Sequence, residues 1–165
     1  MSRKLGALTT AGVLGLTLLI PQAAGAVTND AASRDAVAGT YRAAPIGVWT
    51  GTVTFPTGQV EATMSFHANG KVCLLTPPPG PDGGVEGQGT WQSTGPHTFT
   101  FKVTERFFDG AGTTTGYLRA THNATLRGNV FTTVGDGAFY DADWKEQNTF
   151  TATSNMRRKT RSVSC

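Results

Sequence analysis

The chain has 165 residues, of which 38% are hydrophobic and 15% charged, and its formal net charge is +3. This length suits one ordinary domain with a single hydrophobic core. Four of the basic residues lie close together near the C-terminus, whereas a nucleic-acid-binding domain carries its basic residues as a patch across the folded surface. Composition and charge therefore argue against a nucleic-acid partner.

The first 26 residues have the layout of a secretory signal peptide. Arg3 and Lys4 precede an apolar stretch over residues 5–20, and small residues ending in Ala26 follow it. The apolar stretch is shorter than the roughly 20 residues that a membrane-spanning helix needs. We therefore expect cleavage after Ala26, secretion of the remaining chain as a monomer, and no stable membrane anchor.

Three further segments follow. Residues 27–45 are small and polar without periodicity, which predicts a flexible leader. From residue 46 onward, threonine, valine and aromatic residues are interrupted by glycine-rich turns every eight to twelve residues, as in all-β domains. We expect this domain to span residues 46–157 and a basic tail to occupy residues 158–165.

Alternating side chains predict the strands. The clearest pair, residues 47–55 and 59–67, forms a hairpin whose second strand places Val60, Ala62, Met64 and Phe66 on one face. Further strands are predicted over residues 71–76, 87–92, 97–107, 113–122, 124–127, 129–134, 138–140 and 148–156, with a bulge at 135–137. The count and the short connections favour an antiparallel up-and-down barrel of about eight strands over a sandwich.

Two features of the chain leave alternatives open. Residues 77–84 hold four prolines and three glycines, so they form a surface loop that borders the barrel mouth or serves as an interaction surface. Cys73 and Cys165 either form a disulfide or remain apart, with Cys73 as apolar filler. Because Cys165 ends a polar tail, the sequence favours the second alternative.

Gly47-Val48-Trp49 opens the first strand, and Arg157 or Arg158 ends the last. This arrangement resembles the lipocalins and wider calycins, and the resemblance implies a tryptophan near the closed end of the barrel covered by an arginine. Residues 46–157 also resemble a group of small exported bacterial proteins with the running pattern G-x-W, F-x-x-x-G, G-x-W, F-x-F, D-x-x-G and Y-D-x-D. The resemblance implies a barrel with a ligand cavity.

The strand at residues 97–107 carries the candidate chemistry. Glu105 shares the parity of Phe99, Phe101, Val103 and Phe107, so it faces the core with a raised pKa, unless the strand bulges near Thr104 and leaves it in solvent. On the next strand, Arg119 could pair with Glu105 inside, beside Tyr117. This would give a cofactor-free cyclase or isomerase that is similar in outline to allene oxide cyclase and dirigent-like barrels, with all three residues catalytic.

The leading hypothesis is a secreted barrel that binds a small apolar molecule in its interior. An eight-stranded barrel is wide enough for either packed side chains or one small ligand. The three histidines, His67, His97 and His122, lack the spacing of a metal pair, so neither a metal nor a cofactor is expected. The predicted ligand-binding residues are Trp49, Phe66, Trp91, Phe99, Phe101 and Phe107, with Tyr117 also facing the ligand. The alternatives are the cyclase or isomerase above, and an extracellular interaction or inhibitor protein that acts through its proline-rich loop.

Overall fold

Eight strands form a closed antiparallel barrel in a computed structural model, which describes residues 43–75, 80–163 and 165. Each strand pairs with its neighbours in sequence, and the last pairs with the first. The predicted all-β up-and-down barrel is confirmed, and the residues that the structure describes contain no helix, hence none able to cross a membrane. The predicted signal peptide lies outside the described residues. The strands are β1 (Gly47–Phe55), β2 (Gly58–Phe66), β3 (Lys71–Leu74), β4 (Gly83–Ser93), β5 (Thr98–Asp109), β6 (Thr114–Arg127), β7 (Val130–Asp141) and β8 (Glu146–Thr160).

The strands on the far side of the barrel are longer than the sequence suggested. β6 runs unbroken through Asn123, where two strands were expected, because Asn123 pairs with Val134 and its side chain accepts a hydrogen bond from Thr100 at 3.0 Å on the outer face. β7 likewise continues through Gly135 and Gly137 without the expected bulge. The predicted breaks are therefore wrong, since these polar and glycine residues are paired within continuous strands.

The two ends of the barrel differ. The connections β1–β2, β3–β4, β5–β6 and β7–β8 lie at one end, here called the open end, and the other three connections lie at the closed end. Ala43 and Pro45 are buried, and the Ala43 N–H donates to the carbonyl of Gly95 at 3.0 Å. These last residues of the predicted flexible leader are therefore part of the folded closed end.

Trp49 and Arg158 seal the closed end. The Trp49 indole is fully buried and donates from Nε1 to the carbonyl of Pro45 at 2.6 Å. The Arg158 guanidinium lies over the indole, 4.1 Å from the ring centroid, and donates to the carbonyl of Ile46 and to Asn129. Of the two predicted arginines, Arg158 makes the expected cation–π contact, whereas Arg157 is exposed.

A disulfide joins the chain end to β3. Cys73 and Cys165 are bonded with their Cα atoms 5.8 Å apart, so the preference for unpaired cysteines is wrong. The reason lies in β8, which continues beyond the expected barrel boundary at residue 157 and pairs Thr160 with Val48. That extension carries the final residues along the barrel wall to the side chain of Cys73.

Candidate functional site

The closed-end half of the interior is packed solid with aromatic rings. Edge-to-face contacts join Phe66 to Phe99 at 5.6 Å and Phe66 to Phe131 at 5.8 Å between ring centroids. Trp49, Phe66, Phe99 and Phe101 are at most 1% exposed. These four predicted ligand-binding residues are core residues instead, because their strand positions place them all in the sealed half of the barrel.

The open-end half of the interior contains a cavity of about 260 Å³. Of the predicted site residues, Glu105 and Phe107 line it. Trp91 does not, because its indole packs edge-on against Phe99 at 6.4 Å and donates to the carbonyl of His67 at 2.7 Å. The cavity walls are formed by Val53, Phe55, Val60, Glu61, Ala62, Met64, Leu74, Val85, Val103, Glu105, Phe107, Leu118, Ala120, His122, Phe139 and Phe150.

Small residues create the space. Ala62 and Ala120 face inward in the layer directly above the aromatic rings. Gly87 pairs with Glu105 across the β4–β5 ladder, and a Cβ at Gly87 would lie 2.7 Å from Cβ of Leu74 and 3.1 Å from Cγ of Glu105. The Glu105 side chain therefore occupies room that any larger residue at position 87 would take.

Glu105 is the buried carboxyl group of this interior, whereas Glu61 at the cavity edge is exposed. The irregularity of β5 falls between Phe107 and Phe108, beyond Glu105, so the residue keeps its inward parity and pairs with Leu118. Burial raises the pKa of Glu105 from 4.5 to about 7. None of the described residues that line the cavity is a lysine or arginine, so no cation there stabilises the charged form.

His122 is the second buried titratable group that faces this space, and the sequence analysis did not assign it a role. Its ring stacks on Phe101 with centroids 4.9 Å apart, and Nδ1 lies 3.0 Å from the hydroxyl of Thr133, which in turn lies 2.7 Å from the hydroxyl of Ser154. Burial lowers the pKa of His122 to about 4, against a weaker opposing effect of the Asp136 carboxylate. At neutral pH the site therefore holds a neutral imidazole. His122 shares its parity on β6 with Leu118 and Ala120, and this alternation was the sequence signal that could have placed His122 inside the barrel.

Tyr117 and Arg119 lie on the outer face of the barrel. Leu118, which stands between them, pairs with Glu105, so both flanking side chains point away from the cavity. Tyr117 stacks on Trp144 with centroids 3.8 Å apart, and the Arg119 guanidinium lies 4.3 Å from the Trp144 ring centroid. The expected pairing of Arg119 with Glu105 inside the barrel is therefore wrong, and Tyr117 does not face the cavity.

Trp144 occupies an unusual turn position. The turns that begin at Asp109 and Asp141 share one geometry, in which the aspartate carboxylate accepts hydrogen bonds from the backbone N–H groups two and four residues later. The residue three positions after each aspartate has a positive φ: Gly112 at 79° and Trp144 at 63°. Contacts with Tyr117 and Arg119 hold Trp144 in a conformation that normally favours glycine.

Comparison with known proteins assigns the chain to no family. No protein-family model matches the chain, and no curated protein matches it in sequence. Among solved structures, the chain is similar to one titled "Structure of EF1p2_mFAP2b bound to DFHBI", at 15% identity and a TM-score of 0.48, over 69% of this chain and 93% of that one. Functional inference for this chain therefore depends on its own cavity.

Proposed function

We propose that this protein is a monomeric binding barrel that holds one small, largely apolar molecule in its open-end cavity. The observation that carries the proposal is the cavity of about 260 Å³, with walls that are mostly aliphatic and aromatic. Binding pockets are typically concave and apolar, with a few polar groups that orient the ligand. Glu105 and His122 are such groups.

The cavity volume limits the size of the ligand. A protein cavity of about 150 Å³ is large enough for benzene. By proportion, the cavity described above suits a molecule of roughly ten non-hydrogen atoms, about the size of a substituted or fused ring. Neighbouring aromatic rings line the part of the cavity nearest the open end, with centroid separations of 5.3 Å for Phe55–Phe150 and 4.9 Å for Phe139–Phe150. They favour a flat ligand.

Glu105 adds a requirement for one polar group on the ligand. Because the pKa of Glu105 is about 7, the carboxyl exists in both protonation states at neutral pH and can donate or accept a hydrogen bond. A hydroxyl group on the ligand can complement either state. We therefore propose small phenols and ring alcohols as the ligand class.

A matched pair of substitutions on β6 tests interior binding. Ala120→Phe fills the cavity, whereas Thr121→Phe places the same ring on the exposed outer face of the same strand. We expect calorimetric titration with naphthol to show binding by the wild type and Thr121→Phe, and at least about a tenfold loss for Ala120→Phe. Equal affinity of all three proteins, or no binding of any such compound by the wild type, would reject the proposal.

A second candidate function is proton transfer by Glu105. The raised pKa of Glu105, close to neutral, favours it, since a general base works best when its pKa lies near the working pH. A small bicyclic aryl ketone in D₂O offers a direct probe, with NMR following exchange at the carbon next to the carbonyl. An exchange rate that rises with a midpoint near pH 7 and disappears in Glu105→Gln would support catalysis. An identical exchange rate in both proteins would leave ligand binding as the only proposed function.

Two other expectations stay predictions. Secretion depends on residues 1–26, which lie outside the part of the chain that the structure describes. The interaction hypothesis depends on the proline-rich loop, of which residues 77–79 also lie outside the described part. The cavity favours the binding barrel over that alternative, because a fully packed interior would have left only the surface to bind a partner.

A further inference from the structure

A group of soft metal ligands lies on the outer wall near the closed end, away from the cavity. His67 belongs to the β2–β3 turn, Cys73 to β3, and Cys165 to the chain end that packs beside them. The His67 Nε2 atom is 2.9 Å from Sγ of Cys165 and 3.3 Å from the hydroxyl of Ser65. The imidazole nitrogen and both sulfur atoms lie within 4.8 Å of one another.

In the structure the two sulfurs are joined, so they cannot act as thiolate ligands. A dithiol reductant changes this: it transfers two electrons and two protons, the S–S bond breaks to give two Cys thiols, and the reductant becomes a disulfide. The sulfur of Cys165 is the accessible one, because that residue is exposed whereas Cys73 is buried. Reduction therefore leaves two thiols beside an imidazole that already points at them.

We infer that the reduced protein binds a tetrahedral, thiophilic divalent ion of the Zn²⁺ type through His67, Cys73 and Cys165. Zinc–sulfur bonds of about 2.3 Å at a tetrahedral angle place two thiolates roughly 3.8 Å apart. Cysteine Cα atoms 5.8 Å apart allow that separation by rotation of the exposed Cys165 side chain. Binding releases the two thiol protons to solvent, and water occupies the fourth position.

This assignment gives the closed end two alternative links between the chain end and β3. In the oxidised protein the link is the disulfide, and in the reduced protein it is the metal ion. His67 is a ligand only in the second, since a disulfide needs no third ligand. His67 and Cys73 lie six residues apart, but Cys165 lies 92 positions beyond Cys73, which is why spacing alone predicted no metal site.

Titration of the full chain with Zn²⁺ tests the inference. Protein reduced with a phosphine is compared with the air-oxidised protein, and Co²⁺ is used as a spectroscopic probe of thiolate ligation. We expect one ion per reduced chain, a sulfur-to-cobalt charge-transfer band, and no binding by the oxidised protein. His67→Gln should weaken Zn²⁺ binding about tenfold or more. His97→Gln, on an exposed histidine at another position, should leave it unchanged.

A thermal unfolding measurement keeps the test decisive if reduction destabilises the barrel. Zn²⁺ should raise the midpoint of the reduced wild type, because it binds the folded state, and should not raise that of the Cys73→Ser/Cys165→Ser variant. Zinc binding of equal strength by wild type and His67→Gln would overturn the inference. So would a reduced wild type that binds no more Zn²⁺ than the double serine variant.

Discussion

Glu105→Gln should make the stability of the protein depend on pH in a range where the opposing effects of Glu105 and His122 nearly cancel in the wild type. In the wild type, burial raises the pKa of Glu105 from 4.5 to about 7 and lowers the pKa of His122 from 6.5 to about 4. The raised pKa of Glu105 contributes stability that is present below pH 4.5 and lost as the pH rises to 7. The lowered pKa of His122 contributes stability that is present above pH 6.5 and lost as the pH falls to 4. Between pH 4.5 and 6.5 the two effects oppose each other.

The magnitude follows from the two shifts. Each pKa differs by about 2.5 between the folded and unfolded chain, and at about 1.4 kcal/mol for each pKa unit this amounts to about 3 kcal/mol for each residue. The contributions of the two residues therefore nearly cancel in the wild type over this range. Without the Glu105 carboxyl, only the effect of His122 remains, and the free energy of unfolding should fall by about 3 kcal/mol between pH 7 and pH 4.

Urea unfolding followed by tryptophan fluorescence, at half-unit steps from pH 4 to pH 8, measures this difference. Glu146→Gln serves as the control, because it removes an exposed glutamate at the start of β8. The control should follow the wild-type curve, and Glu105→Gln should diverge from it as the pH falls. A Glu105→Gln curve parallel to that of the wild type would refute the placement of a desolvated carboxyl in the cavity.

Three further predictions concern stability. Arg158→Gln should lower the free energy of unfolding by about 2 kcal/mol, since it removes the cation over the Trp49 indole and a backbone hydrogen bond. The exposed control Arg157→Gln should not lower it. Equal urea midpoints for the two variants would contradict a stabilising role of Arg158 at the closed end. Replacing both disulfide cysteines with serine should cost up to about 5 kcal/mol, because the bond closes a long loop between positions that are 92 apart in sequence. An unchanged urea midpoint would contradict the bond. Trp144→Gly should change stability by less than about 1 kcal/mol, because relief of the positive φ offsets the lost ring contacts; a loss above about 2 kcal/mol on thermal unfolding would show that the contacts dominate.

The fold could be predicted from the sequence because the alternation of inward and outward side chains along a strand is a local property. The bounds predicted for the first hairpin agree with β1 and β2 to within one residue at each end, since parity and turn residues are read directly from neighbouring positions. Longer strands were less predictable. Asn123 and Gly135 look like breaks in isolation, but each is paired across a ladder whose partner comes from another part of the chain.

The site was only partly predicted. Parity correctly placed Glu105 inside, because its face is fixed by Phe101 and Val103 on the same strand. The predicted partnership with Arg119 is wrong, because the structure pairs Glu105 with Leu118. The apolar residues of β6 alternate in phase with Leu118, so the alternation of that strand already places Arg119 on the outer face.

The depth of each residue along the barrel axis explains why most of the aromatic residues predicted to bind a ligand are core residues instead. All of the inward aromatic residues look equivalent in sequence, yet those of one half pack against Trp49 and those of the other surround the cavity. The difference arises from the layer between them, where Ala62 and Ala120 leave space that larger side chains would fill. In an up-and-down barrel, consecutive strands run in opposite directions, so a given depth is reached early on one strand and late on the next. Small inward residues that fall at a common depth, rather than inward aromatic residues, are therefore the pattern that indicates where such a barrel is open.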